Sequence, residues 1–183
     1  MAGLQENTTY SDANQVMSTM VNKLASIGKT MSRAKKTADT SKYSSLASNV
    51  KSNLGVVTTP YGGSTRYEQF HPGVDLANKI GTPVPGFVGG KVIDTRSGMT
   101  QGSPDFGNYV IIQDDQGNKY RYSHLNQAYV SVGDVVKPGQ IIGEMGNTGA
   151  TYSQSSTGTG SHLDFRVQDI YGRYINPNKY ING

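Results

Sequence analysis

Cysteine is absent from this 183-residue chain, tryptophan is absent, and histidine occurs three times. Without cysteine there are no disulfides and no thiolate ligands, so any metal must be held by nitrogen and oxygen. No apolar stretch approaches the ~20 residues that span a bilayer. The N-terminus has no basic stretch followed by an apolar run and a small-residue cleavage site, so no secretory signal peptide is expected. Hydrophobic residues make up 34% of the chain against 23 glycines and 12 tyrosines, which argues against a helical bundle and for a turn-rich, mainly β protein. The net charge of +4 suits an anionic partner. Basic residues are scattered or gathered in Arg33, Lys35 and Lys36 without a nucleic-acid motif, so no nucleic-acid partner is expected.

Two regions differ in pattern. Behind Ser11 or Asp12 as N-cap, apolar residues recur at Ala13, Val16, Met17, Met20, Val21, Leu24 and Ile27, the spacing of an amphipathic helix. A weaker helical pattern runs through Tyr43, Leu46, Ala47, Val50 and Leu54. Two short helices cannot bury a core of their own, so their stripes must pack on the main domain, on another copy or on a partner. From about residue 55 the chain turns to short β-rich runs broken by glycine and proline, at 87–95, 109–113, 119–125 and 163–168, with a hairpin turn at 115–118. The expected organisation is a helical appendage over residues 1–54 and a twisted antiparallel β domain over 55–183. Two polar loops, 96–107 and 148–160, are long enough to be read as walls of a binding site.

The three histidines hold the chemistry. His162 and Asp164 are one residue apart in an expected strand, so both side chains leave the same face of the sheet. His71 and Asp75 are four apart, but Pro72 and Gly73 argue against a helix, so a turn is expected to deliver Asp75 at the start of a strand. Imidazole and carboxylate are ordinary ligands for zinc and its neighbours.

Taken together, these segments resemble the lysostaphin/LytM-type zinc endopeptidases of peptidoglycan. His71-Pro-Gly-Val-Asp75 matches the family's first motif, with Gly81-Thr-Pro-Val84 following; Tyr122-Ser-His124-Leu125 matches the second. The turns around Val132–Gln140 and Gly146–Gly149 precede Gly160-Ser-His162-Leu-Asp164-Phe165, which stands where a His-x-His should be. The resemblance covers roughly residues 55–180. It implies a β catalytic domain with a barrel-sandwich-like substructure, metal ligands His71, Asp75 and, in the altered place, Asp164, and His124 and His162 as the catalytic pair. His162 is then the expected general base and His124 the expected oxyanion donor, with Tyr67 a candidate further donor. A carboxylate in place of the last histidine lowers the charge of the centre, so zinc is expected with weaker Lewis acidity and manganese as a second candidate. The Val132–Gly149 rhythm also resembles biotinyl and lipoyl carrier domains, but the turn Gly143-Glu-Met-Gly146 has no lysine to acylate.

The resemblance therefore implies a metal-dependent endopeptidase acting on peptide stems or cross-bridges of bacterial peptidoglycan. The alternative is a ligand-altered, non-catalytic wall-binding or structural module of the same fold. A wall-directed activity without an expected signal peptide points to delivery by a phage particle or release by lysis. The N-terminal helix is then the candidate anchor to phage tail proteins.

Overall fold

The computed structural model describes Lys23 and residues 54–181. The chain divides into two units, residues 1–42 and 43–183. The helical patterns expected at 11–27 and 43–54 lie outside the described residues apart from their members Lys23, which is helical and exposed, and Leu54. Leu54 is not helical; it lies in a bend and is buried in the core of the β domain. Gly55 follows it at φ 100°, a left-handed conformation that breaks a helix. No described helix is long and apolar enough to cross a membrane.

Ten strands among the described residues form one antiparallel sheet. They are β1 (Val56–Thr59), β2 (Gly73–Ala77), β3 (Pro83–Pro85), β4 (Gly90–Arg96), β5 (Asn108–Gln113), β6 (Lys119–Ala128), β7 (Val135–Val136), β8 (Ile141–Met145), β9 (His162–Gln168) and β10 (Tyr174–Ile175). The main path runs β1-β2-β9-β6-β5-β4-β7, with β8 branching from β6, β3 pairing with β8, and β10 pairing with β9. The four strands expected from sequence are present with their bounds shifted. The first is the most displaced, since residues 87–89 precede β4. The expected hairpin turn is closed by Asp114, whose Oδ1 accepts the Gln116 and Asn118 amides and whose carbonyl accepts the Gly117 amide.

Alternation decides which face is buried. In β5, Asn108, Val110 and Ile112 are buried between half-buried Tyr109, Ile111 and Gln113. The central strand β9 is buried at every position from Leu163 to Val167, because β2 and β6 flank it and side chains cover both faces. Phe87, Tyr122 and Phe165 stack on one another with ring centroids 4.6–5.4 Å apart, and the Tyr122 hydroxyl accepts the Phe87 amide.

One irregularity places the functional site. On a single edge, β6 pairs with β9 as far as Ser123↔Asp164 and then with β8 from Leu125↔Met145. His124 sits at the changeover with φ 60°, in the left-handed region that non-glycine residues rarely occupy. Its amide leaves the ladder and donates to the Phe106 carbonyl. The change of partner swings the histidine out of alternation, as bulges beside active sites do.

Candidate metal centre and catalytic histidines

His71 is buried just before β2, and Asp75 is the third residue of β2 rather than its first. Register pairs Asp75 with Asp164 across β2 and β9. The two carboxylates therefore leave neighbouring backbones side by side. His71 Nε2 lies 3.1 Å from Asp75 Oδ1 and 3.7 Å from Asp164 Oδ1. Donor atoms of all three residues fall within 4.8 Å of one another.

Hydrogen bonding fixes the tautomer of His71. Its Nδ1 donates to Glu68 Oε2 at 3.0 Å, and a carboxylate can only accept, so the neutral ring keeps its lone pair on Nε2. His71 Nε2 and Asp75 Oδ1 are then two buried acceptors facing each other, and neither has a hydrogen-bond partner. Such a pair is costly to bury unless a metal cation, or a proton on His71 Nε2, lies between its members. Donors bonded to one tetrahedral ion at ~2.0–2.1 Å stand ~3.3 Å apart, which the observed 3.1 and 3.7 Å bracket. The donor set fits a divalent metal of the zinc or manganese type.

Charge runs through the cluster. Arg166 Nε donates to both oxygens of Asp164, at 3.0 and 2.8 Å, while its terminal nitrogens reach Glu68 Oε1 and Oε2 at 2.8 and 2.9 Å. Burial pushes the Asp164 carboxyl up, against the pull of Arg166. Burial acts to lower the basicity of His71, but Asp75, Asp164 and Glu68 outweigh it and raise the ring above its ordinary value. Asp75 is held down by His71 and His162 in spite of its burial.

The other two histidines are oriented differently. Thr148 carbonyl accepts from His124 Nδ1 at 2.7 Å, and Gly160 carbonyl accepts from His162 Nδ1 at 2.8 Å. Both neutral rings therefore carry their proton on Nδ1 and leave Nε2 unprotonated. The ring centroids are 4.6 Å apart, and His162 Nε2 is 3.9 Å from Asp75 Oδ1. Burial and the neighbouring His162 push His124 down to about 4. In this tautomer His124 has no Nε2 proton to donate to an oxyanion, so its geometry supports an acceptor role more than the donor role expected from sequence.

All five residues singled out in the sequence line one open groove of about 770 Å³. Its walls include the two expected loops, which are tied together. Gly149 accepts the Gly102 amide and donates to the Thr100 carbonyl, and Gln101 Nε2 reaches the Thr159 carbonyl. Gly149 must be glycine here: φ is 84°, and a Cβ would lie 2.3 Å from the Gly107 nitrogen. Tyr67 stands exposed on the rim, edge to face with Tyr152 at 5.8 Å. The sequence reading missed Glu68 and Arg166. Their available signals were positions three before His71 and two beyond Asp164 on the same strand face.

Comparison with known proteins gives the family. The model of peptidase family M23 matches residues 69–177. Peptidoglycan DD-endopeptidase ShyA of Vibrio cholerae is 41% identical over 111 residues, which are 60% of this chain and 22% of ShyA. The chain thus spans less than a quarter of that relative's length. Among solved structures, a mutant catalytic domain of the prophage-encoded M23 protein EnpA from Enterococcus faecalis superposes with TM-score 0.54 at 31% identity, covering 67% of this chain and 88% of that one. A zinc-containing peptidase from Vibrio cholerae gives TM-score 0.53 at 32% identity, covering 67% and 35%. The chain belongs to peptidase family M23, a family of zinc-dependent peptidases.

Proposed function

We propose that the β domain is the catalytic unit of a zinc-dependent endopeptidase that hydrolyses peptide stems or cross-bridges of bacterial peptidoglycan. The observation that carries this reading is the pair of buried, unpartnered acceptors, His71 Nε2 and Asp75 Oδ1, beside Asp164 and within one groove that also holds two unprotonated imidazole nitrogens. That ShyA is a peptidoglycan DD-endopeptidase supports the substrate class.

His71, Asp75 and Asp164 hold the metal, with zinc as the principal ion and manganese compatible with the oxygen-rich set. When bound, it supplies Lewis acidity to the scissile carbonyl and acidifies the attacking water. His162 accepts the proton from that water through Nε2, its ring held in place by Gly160, and delivers it to the leaving amine. His124 presents a second acceptor that burial keeps neutral, and it orients the water toward the face of the carbonyl carbon. The groove walls, with Tyr67 and Tyr152 at the rim, receive the extended peptide.

A non-catalytic wall-binding or structural module is the second reading, favoured by the double hold of Arg166 on Asp164. Turnover distinguishes the two. Zinc-loaded protein incubated with purified peptidoglycan should release new amino termini, and His162→Ala should lower the rate by about 10²–10⁴-fold while zinc remains bound. No release from zinc-loaded wild type would favour the module, and full turnover in His162→Ala would remove the base assigned here.

Delivery by a phage particle, or release by lysis, is the proposed route to the wall, and the prophage origin of EnpA supports it. The N-terminal segment is the proposed anchor to tail proteins. A chain lacking residues 1–53, which keeps Leu54 in the core, should fail to copurify with such an assembly, and undiminished copurification would overturn the anchor.

A further inference from the structure

Asp164 stands where the family resemblance places an imidazole, and Arg166 leaves the same face of β9 two residues later. Both are buried, Asp164 with 1% and Arg166 with 7% of its surface exposed. The guanidinium is engaged from several sides. Nε serves both Asp164 oxygens, the terminal nitrogens take Glu68, and the Phe106 ring lies 4.7 Å from its carbon, with Arg121 on the same ring at 4.3 Å. On the facing strand, Gly73 leaves room for the pair. A Cβ there would come 2.7 Å from both Asp164 Oδ1 and Arg166 Cγ.

A buried carboxylate without a counter-charge is strongly disfavoured, and a second anionic ligand also removes the positive charge that a centre with one carboxylate keeps. We propose that Asp164 and Arg166 act as one composite ligand arm. The carboxylate supplies the donor atom, while the guanidinium, shared with Glu68, fixes its plane and offsets part of its charge, so that the pair takes the place of an imidazole. Arg166 is thus a positioning residue. Through Glu68 it also reaches His71 Nδ1, which joins two of the three ligands behind the metal position.

This inference rests on the metal reading of His71, Asp75 and Asp164, and its consequence is a sign reversal in metal affinity. An imidazole at position 164 leaves Arg166 held by Glu68 alone, with its Nε stripped of its carboxylate acceptor beside a divalent ion. Zinc affinity is measured on the full chain by competition with a chromophoric chelator, with circular dichroism and thermal melting to confirm folding. Asp164→His should bind zinc about tenfold more weakly than wild type or worse, and Arg166→Gln alone should also weaken binding, by about fivefold or more. Adding Arg166→Gln to Asp164→His should instead tighten it about tenfold. A merely structural arginine would make the double variant worse than either single one. The proposal is overturned if Asp164→His binds zinc as tightly as wild type, or if Arg166→Gln weakens both backgrounds by the same factor. Should Asp164→His fail to fold, the near-isosteric Asp164→Asn takes its place, with the same improvement expected on adding Arg166→Gln. Wild type that binds no zinc, or binds it no better than His71→Ala, overturns the underlying metal reading instead, and this proposal with it.

Discussion

The three histidines share one groove, yet their Nδ1 atoms face different partners. His71 donates to the carboxylate of Glu68, whereas His124 and His162 donate to the neutral carbonyls of Thr148 and Gly160. An anionic partner makes the ring a stronger donor to a cation and holds it in one place, which suits a ligand. A neutral carbonyl fixes the tautomer without adding charge and leaves Nε2 of each neutral ring as an acceptor. Basicity follows the same division. The surrounding carboxylates raise His71, while burial and the adjacent ring push His124 down to about 4. The groove thus has an ionic side, where a carboxylate backs His71, and a side where neutral carbonyls back His124 and His162.

The comparison breaks most completely at Asp75. Removing its carboxylate by Asp75→Ala takes away one of the three proposed ligands and leaves Asp164 as the one carboxylate beside His71 Nε2. Zinc content should fall below about a tenth of wild type, and turnover should fall with it by about 10³-fold or more. Zinc retained at wild-type stoichiometry, measured by mass spectrometry, would exclude Asp75 as a ligand. A smaller change on the same side is Glu68→Gln, which keeps the shape and removes the charge behind His71 and Arg166. It should weaken zinc about 10–100-fold with the fold intact. Unchanged affinity would mean that the ionic backing is incidental.

On the neutral side, the test is pH. The folded value of His124 is depressed to about 4 from the usual 6.5, so the unfolded chain binds its proton more readily than the folded one. The His124 contribution is present above pH 6.5 and lost as pH falls toward 4. Its size is of order 3 kcal/mol. Denaturant melts of wild type and His124→Gln should show a shallower decline over that window in the variant. Equal slopes would place the buried charge elsewhere. The least severe change is to the groove wall. Gly149→Ala should lower stability by about 1–3 kcal/mol, because its positive φ and its approach to Gly107 both exclude a side chain. It should also lower turnover without releasing zinc.

How much of this was legible in sequence follows from where each signal lies. His162 and Asp164 share a face because strand alternation is local, and β9 bears that out. The His71-to-Asp75 segment was read as a turn into a strand, correct in kind but two residues off in β2, since its start depends on pairing with β9. The Arg166–Glu68 pair spans 98 residues and depends on the β2-β9-β6 order, which no local pattern encodes. The carbonyls of Thr148 and Gly160 were invisible for a different reason: every residue has one, and the fold alone selects these two. The left-handed backbone at His124 arises where β6 exchanges β9 for β8, and nothing in Tyr122-Ser123-His124-Leu125 announces it.

The central claim is that His71, Asp75 and Asp164 together hold the metal. Its most direct test is an anomalous difference map, collected at the zinc edge, from crystals of zinc-loaded protein. The account predicts one strong peak at ~2.0–2.2 Å from His71 Nε2, Asp75 Oδ1 and Asp164 Oδ1, with Arg166 still paired to Asp164. A peak bound by His124 or His162 instead, or one that leaves Asp164 on Arg166 alone, would contradict it.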